Sequence, residues 1–234
     1  AAVVNDDEEA GVLVPWLQEH AAVLTRFSLE ADPRQSGDLQ LKNATQQALG
    51  AALQTAALAA GGQLQLQHLS LAYLSMNKGF YQQIANSCRL LSLSYPLYGN
   101  NIEAFGVVCS MTKLRELTIP SPNDGHGVVG LDDQVLQQLS TLTELTRLCF
   151  EDDVMLTQMQ LMHLPNGVRE LIVDHECVDI VSLPWNLGHL ASVTRLELPY
   201  ITNGFGSFRD ALPPNVVNLK VRMLHASLQP LLQL

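Results

Sequence analysis

Side chains that could perform catalysis are scattered along the sequence and form no recognised constellation. Cys149 follows Arg147 by two residues. A neighbouring cation lowers the pKa of a thiol, but no histidine base stands beside Cys149. His175 lies between Asp174 and Glu176, a set that could form half of a metal site; a histidine without such a role is the favoured interpretation. We therefore predict no catalytic residue, no metal site and no cofactor.

Short motifs support the same expectation. The chain lacks G-x-S-x-G, H-E-x-x-H and the Walker phosphate loop. The closest two of its four cysteines, Cys88 and Cys109, are 21 residues apart, which excludes a C-x-x-C redox pair and a short-spaced zinc knuckle. The segment Gly125–Gly127 could cradle an anion, and a flexible insert is the favoured alternative. An enzyme is not expected.

The charge balance excludes further classes of protein. The chain has 234 residues and a formal net charge of −10, whereas a general binder of nucleic acid or of an anionic membrane needs a positive field. Hydrophobic residues make up 47% and charged residues 15%, so an intrinsically disordered chain is excluded. Because neither a signal peptide nor an apolar run of about 18 residues is present, we expect an intracellular protein of the cytoplasm or nucleus, with an organelle as the alternative.

Apolar residues recur in a fixed pattern, and this pattern decides the predicted fold. One apolar residue is followed by a second three positions later and by a third two positions after that. The eight copies are Leu24-Phe27-Leu29, Leu66-Leu69-Leu71, Cys88-Leu91-Leu93, Leu114-Leu117-Ile119, Leu145-Leu148-Phe150, Val168-Leu171-Val173, Val193-Leu196-Leu198 and Val216-Leu219-Val221. Their first residues are 42, 22, 26, 31, 23, 25 and 23 positions apart. Such a period indicates a repeat architecture.

Each copy predicts a short β-strand. Its last two apolar residues are two apart and so face the same side, and stacked copies give a parallel sheet over one aliphatic core. Helices are predicted over 43–60, 79–87, 102–111 and 132–139, the first with an Asn cap and a terminal Gly pair. After Phe150, Pro and Gly favour 3₁₀ or extended returns. The long first interval predicts an insertion over 30–62, with an extra strand around Leu39–Leu41 as the alternative.

The copies resemble the leucine-rich-repeat superfamily over about residues 13–224. The position that holds Asn or Cys in the family carries other residues here, from Asp32 in the first copy to Leu224 in the last, so the resemblance implies an irregular solenoid. The segment VPWLQEHAAVLTRFSLE resembles plant and green-algal F-box-type leucine-rich-repeat arrays, and LPPNVVNLKV resembles bacterial-effector or FNIP-type repeats. The implied fold is α/β: a curved parallel sheet of about eight repeats, with helices and irregular returns on the convex side. We expect a single domain over 1–234, with 1–12 as an acidic, flexible tail.

In this superfamily the binding surface is usually the concave sheet face, which corresponds to the second, third and fifth positions of each copy. Six of the nine arginines fall there, and with Lys220 they give seven cations against three carboxylates, a net charge of +4. The predicted sheet face is therefore positively charged, and the excess of negative charge lies on the rest of the chain. The predicted partner-binding residues are Arg26, His68, Arg89, Arg115, Arg147, Arg169 and Arg195.

Two interpretations of these charges remain open. The third positions of copies four to seven alternate in sign: Glu116, Arg147, Glu170 and Arg195. Equivalent positions of neighbouring strands lie about 4.8 Å apart, so these residues could form a ladder of ion pairs within the protein. Alternatively, the arginines form a docking site that grips carboxylates in a bidentate manner. The ladder is favoured for copies four to seven, whereas Arg26, Arg89 and Arg115 are the preferred contact residues.

The sequence thus predicts a non-catalytic protein–protein interaction module that binds a protein partner on the concave face, and an acidic patch is one form that partner could present. Two alternatives remain open. One is the substrate-recognition part of an F-box-type ubiquitin ligase, and the other is a structural subunit of a large assembly. No polar capping repeat follows the last copy, so capping or self-association through this edge is also expected.

Overall fold

Short strands and helices follow one another up to Leu139, and strands alone are described after it. The computed structural model describes residues 2–4, 6–31, 39–72, 74–96, 102–120, 129–130, 133–151, 154–155, 162–173, 187–201 and 212–224. The strands are β1 Ala2–Val4, β2 Arg26–Ala31, β3 Leu39–Gln40, β4 His68–Ala72, β5 Leu74–Ser75, β6 Ser92–Ser94, β7 Glu116–Ile119, β8 Val129–Gly130, β9 Arg147–Phe150, β10 Val154–Met155, β11 Glu170–Val173, β12 Arg195–Ile201 and β13 Asn218–Leu224. The helices are α1 Asp7–His20, α2 Asn43–Ala59, α3 Lys78–Ser87, α4 Ile102–Cys109 and α5 Asp133–Leu139, with a 3₁₀ turn at Ala21–Val23.

Nine of the described strands form one all-parallel sheet in the order β1-β2-β4-β6-β7-β9-β11-β12-β13. Each strand therefore pairs with the next sheet strand along the chain, and the segment between them returns the chain to the same end of the sheet. The short ladders β3–β5 and β8–β10 lie outside this sheet. The predicted α/β class with a parallel sheet is confirmed, and eight of the nine strands coincide with the predicted apolar copies.

One predicted copy is wrong by two residues. Leu93 pairs with Leu69 on one side and with Leu117 on the other, so it is the middle residue of the third copy rather than the last. The copy is therefore Leu90-Leu93-Tyr95, and these residues are 3%, 1% and 0% exposed. The prediction was wrong because Leu91 and Leu93 are also two residues apart, which is the spacing of residues on one face of a strand. In the structure, Leu91 is only half-buried.

One side of the sheet is covered by the helices and forms the core. Leu69, Leu71, Leu117 and Ile119, for example, are at most 2% exposed, and each helix packs against the next one along the chain. A row of aromatic rings with centroids 5.0–5.6 Å apart passes through this layer: Phe80, Tyr81, Tyr95 and Phe105. Because side chains alternate along a strand, the intervening residues form the opposite surface, here called the exposed face. Among the described helices, none is long and apolar enough to cross a membrane.

The N-terminal residues form regular structure where a flexible tail was predicted over 1–12. β1 adds to the sheet beside β2, and α1 begins directly after Asp6. The Oδ1 atom of Asp6 accepts hydrogen bonds from the backbone N–H groups of Glu8 and Glu9, both at 2.9 Å, which is the usual role of an N-cap aspartate. The acidic run is therefore the favourable first turn of a helix, and Ala10 and Leu17 bury that helix against the core.

The segment predicted as an insertion, 30–62, contains a short strand and a helix among its described residues. The strand, β3, lies where the alternative placed an extra strand, but it pairs with β5 outside the main sheet. α2 begins at Asn43 as predicted, but Lys42 occupies the cap position and no side chain caps the helix. The helix ends before Gly61 and Gly62, whose φ angles of +87° and +112° favour glycine. The backbone N–H of Lys42 donates to Asp7 Oδ1 at 2.6 Å, which joins the starts of α1 and α2.

Candidate functional site

Two rows of side chains cross the exposed face at right angles to the strands. Their positions follow from the pairing of the strands, which places equivalent residues side by side. The outer row is Arg26, His68, Ser92, Glu116, Arg147, Glu170, Arg195 and Asn218. The inner row is Ser28, Ser70, Ser94, Thr118, Cys149, Ile172, Glu197 and Lys220. The first half of both rows is rich in hydroxyl groups, and the second half is rich in charge.

The second half of the face is a network of ion pairs, which confirms the predicted ladder for Arg147, Glu170 and Arg195. Its fourth predicted member, Glu116, has no ion pair within 4.0 Å among the described residues. The Glu170 Oε2 atom lies 3.9 Å from Arg147 Nε and 3.6 Å from Arg195 Nη1. Glu197, which is only 8% exposed, joins the network from the inner row. Its Oε1 accepts from Arg195 Nη2 at 2.6 Å, and its Oε2 accepts from Lys220 Nζ at 2.9 Å. Three cations of this half, Arg147, Arg195 and Lys220, are thus paired with carboxylates of the face itself.

The pKa values reflect the same network. The hydrogen bond from Lys220, followed by that from Arg195, lowers the pKa of Glu197, and burial of the carboxylate opposes this effect. The hydrogen bond to Glu197 raises the pKa of Arg195. Both shifts favour the charged forms of Glu197 and Arg195.

Arg115, a preferred contact residue, is also held by a carboxylate of the chain. Its Nε lies 4.0 Å from Glu144 Oε2, and Lys113 donates to the other oxygen of Glu144. The hydrogen bond from Lys113 lowers the pKa of Glu144. Arg115 is therefore less available to a partner than the sequence suggested. Arg169 is exposed just before β11, and its side chain has no ion-pair partner within 4.0 Å among the described residues.

Arg89 does not lie on the exposed face, in contrast to the sequence prediction. The corrected pairing of β6 gives its position to Leu91, and Arg89 precedes the strand by three residues. There it lines a separate hollow of about 310 Å³ with Gln63, Ser110 and Lys113. Without Arg89, the face carries six cations against three carboxylates, so its net charge is +3 rather than +4.

The first half of the face contains a hollow, here called the hydroxyl hollow, of about 250 Å³. Its polar lining residues are Arg26, Ser28, His68, Ser70, Ser92, Ser94 and Thr118. Arg26 and His68 are neighbours across β2 and β4, and neither has a carboxylate within 4.0 Å among the described residues. Of the predicted contact residues, these two are therefore brought together in a hollow and left without a counter-charge.

A larger hollow of about 430 Å³, here called the edge hollow, adjoins the hydroxyl hollow. Its lining residues are Ala2, Leu13, Trp16, Leu24, Arg26, Phe27 and Ser28, and the last three also line the hydroxyl hollow. Trp16 is 42% exposed, and its ring stacks on His20 with a centroid distance of 5.0 Å. Sequence reasoning missed Trp16 because α1 was not predicted; the Asp6 cap and the acids after it were the available signal.

The cysteines that could have acted as nucleophiles are buried in the described part of the chain. Cys149 is 5% exposed, although the sequence placed it on an exposed face. Burial raises the pKa of Cys88 and of Cys109 to about 12, so both thiols are poor nucleophiles at neutral pH. Within the described part of the chain, no group of three His, Cys, Asp or Glu side chains could hold a metal ion.

Two earlier candidates, His175 and the Gly125–Gly127 loop, lie outside the described residues. Together with Gly130, that loop spells G-x-G-x-x-G, the spacing of a dinucleotide-binding turn. In such a turn the third glycine belongs to the start of a helix. Gly130 instead lies in β8, which pairs with β10, so the spacing does not support a nucleotide site.

Two comparisons with known proteins found no match. No protein-family model matches the chain, and no curated protein matches its sequence.

Proposed function

We propose that the chain is a non-catalytic recognition module of the leucine-rich-repeat type, which binds an acidic segment of a partner protein at the hydroxyl hollow. One observation carries this proposal. In the second half of the exposed face, Arg147, Arg195 and Lys220 pair with Glu170 or Glu197. The described residues that line the hollow of Arg26 and His68 include no carboxylate, although Ser28 of that lining donates a hydrogen bond to Glu30 at 2.8 Å. Of the arginines in the outer row, Arg26 is therefore the one without an ion pair among the described residues.

The solenoid part of the proposal is supported by the pairing of the strands. In each of the eight pairs that join the nine strands of the described sheet, a strand lies beside the next sheet strand along the chain. In the pairs from β2 to β13, the middle apolar residue of one copy lies opposite the middle residue of the next, as Leu148 lies opposite both Leu117 and Leu171. Stacked units that contact only their neighbours are characteristic of repeat proteins.

The lining of the hydroxyl hollow suits an acidic peptide. Serine and threonine hydroxyls both donate and accept hydrogen bonds, so they can pair with the backbone and polar side chains of an extended segment. Arg26 supplies a planar guanidinium group, which holds a carboxylate through two parallel hydrogen bonds. The net charge of the chain does not oppose this partner, because the excess of acid lies away from this face.

Substitution of matched arginines tests the proposal. Random heptapeptides displayed on phage are selected on the full chain, and the enriched sequences are synthesised with a fluorescein label. We expect enrichment of Asp and Glu. A charge-assisted hydrogen bond contributes about 1.5–3 kcal/mol, so Arg26→Ala should weaken binding roughly 10- to 100-fold in fluorescence anisotropy. Arg147→Ala, also on the outer row, should change the affinity little. Equal losses in both variants, or the absence of any Arg26-dependent peptide, would refute the proposal.

The other end of the sheet supports a second proposed contact, through the edge of β13. Among the described strands, β13 pairs only with β12. Leu196 and Leu198 of β12 are 0% and 2% exposed, but their equivalents in β13, Leu219 and Val221, are only half-buried. Unpaired backbone groups beside uncovered apolar side chains favour further pairing. We therefore propose that this edge is capped or self-associates.

A further inference from the structure

The hollow that Arg89 lines, here called the rim hollow, lies beside the starts of β6 and β7 and plays no part in the proposed function. Its polar lining residues are Gln63, Asn86, Arg89, Ser110, Thr112 and Lys113. The described residues of the lining include two cations and no carboxylate. The volume of about 310 Å³ lies at the lower end of the range of about 300–1,000 Å³ that is typical of ligand pockets. The rim hollow therefore suits a small acidic group.

Arg89 is the cation of this hollow that remains available to a partner. Its side chain is exposed and has no ion pair within 4.0 Å among the described residues. Lys113 and Arg115 belong to the next unit, and both pair with Glu144. Together these four side chains carry a net charge of +2, because three cations are set against one carboxylate. The excess of positive charge attracts an acidic partner to this rim of the sheet.

The rim hollow lies within reach of a segment bound in the hydroxyl hollow. Arg26, His68 and Ser92 lie side by side on β2, β4 and β6, and Arg89 precedes Ser92 by three residues. Two strand spacings amount to about 9.6 Å, and three residues of chain span about 10 Å when extended. The Cα atoms of Arg26 and Arg89 are therefore about 14 Å apart, a distance that an extended segment covers in about four residues.

We infer that the acidic segment of the partner runs from the hydroxyl hollow to the rim hollow, where a second carboxylate of the same segment pairs with Arg89. This inference rests on the proposed function and defines the partner as a segment with two acidic residues about four positions apart. The opposite direction is unfavourable, because Glu30 lies near the end of β2, where it accepts from Ser28 at 2.8 Å and would repel an acidic segment.

Arg89 has a second possible role, which the experiment must separate from binding. It follows the C-terminus of α3, which ends at Ser87, and a cation near a helix C-terminus stabilises the helix dipole. If this were its only role, Arg89→Gln would lower the Tm of the chain and leave the affinity for a peptide unchanged. A contact with the partner predicts a lower affinity instead.

The labelled peptides from the selection test this inference. We expect two Asp or Glu residues three to five positions apart, and about fivefold weaker binding by Arg89→Gln, which is the upper value for an exposed ion pair. The matched control is Arg169→Gln, because Arg169 is also exposed and has no ion-pair partner within 4.0 Å among the described residues. Its affinity should stay within about twofold, and thermal melting of both variants checks that they fold.

Changes in the peptide give a second, independent result. Each acid of the peptide is replaced in turn by its amide, Asp by Asn or Glu by Gln, and one of these replacements should weaken binding to the native chain but cause no further loss in Arg89→Gln. Arg26-dependent peptides that need one acid only, bind Arg89→Gln normally, or lose as much affinity in Arg169→Gln would overturn the rim inference and retain the proposed function. A selection that yields no Arg26-dependent peptide would overturn both.

Discussion

Glu197 is the centre of the charge network, and its replacement by glutamine tests the claim that cations in the second half of the exposed face are paired internally. The glutamine keeps the shape of the side chain and removes its charge. The carboxylate is 11% exposed, whereas Arg195 and Lys220 are 41% and 55% exposed. Each hydrogen bond to a buried charge would contribute about 1.5–3 kcal/mol, but exposure of both cations reduces each pair toward the surface value of about 0.2–1 kcal/mol.

The expected loss for Glu197→Gln at pH 7 is therefore about 1–2 kcal/mol. For a chain of this size, 1 kcal/mol corresponds to a fall in Tm of about 2–4 °C, so a decrease of about 2–8 °C is expected in differential scanning calorimetry. Glu144→Gln is the control, because that carboxylate binds Lys113 at an exposed position, and its replacement should have a smaller effect.

The stabilisation by Glu197 should depend on pH in a defined direction. The pKa of Glu197 is lowered in the folded chain, so its stabilisation is complete above the unfolded value of about 4.3 and is lost as pH falls through the native pKa. The difference in Tm between wild type and Glu197→Gln should thus disappear at low pH. A difference that persists when the carboxylate is protonated would show that shape rather than charge is responsible. No difference at pH 7 would refute the network.

Glu197→Gln should also change binding. Loss of this carboxylate leaves Arg195 and Lys220 with one fewer counter-charge, so acidic peptides should gain a second, weaker site that wild type lacks. Titration of the labelled peptide would detect it as a change in stoichiometry. One site in both proteins would contradict the argument that internal pairing keeps partners from this half.

Three further predictions concern the ends and the thiols. Asp6→Ala removes the cap of α1 and should lower the free energy of unfolding by about 1 kcal/mol, with a lower Tm and weaker peptide binding. Asp6→Asn should retain most of the stability and most of the affinity. Equal effects of the two substitutions would contradict the capping role. At pH 8, Cys88 and Cys109 should react with iodoacetamide far more slowly in the native chain than in urea. A pKa of about 12 leaves about one thiol in 10,000 as the reactive thiolate at that pH. Equal rates of modification in the two conditions, measured by mass spectrometry, would disprove this. If the β13 edge self-associates, sedimentation equilibrium should show concentration-dependent association that Leu219→Glu abolishes, and a monomer throughout would exclude self-association through this edge.

The sequence predicts the strands well because their signal is local. A period of two within each copy, repeated along the chain, indicates a parallel sheet, and seven of the eight copies have the predicted alignment. The third copy fails because Leu90, Leu91 and Leu93 offer two frames with the same spacing, and only pairing with Leu69 and Leu117 distinguishes them. That shift also removes Arg89 from the face.

The candidate binding surface was less predictable, because it depends on distances between residues far apart in sequence. The sign alternation correctly indicated the pairs of Glu170 with Arg147 and Arg195. The alternation did not indicate that Glu144, in the turn before β9, forms an ion pair with Arg115. The edge hollow was invisible to sequence reasoning, since it forms only where α1 packs beside β1 and β2.

The order of the strands in the sheet determines how the chain can unfold. Since each strand pairs only with its neighbours along the chain, unfolding can begin at one end and stop between two units while the remainder stays folded. β1 and α1, which border the edge hollow, form the first of the described units. Occupancy of that hollow by a ligand would therefore be coupled to local opening of this unit rather than to global stability.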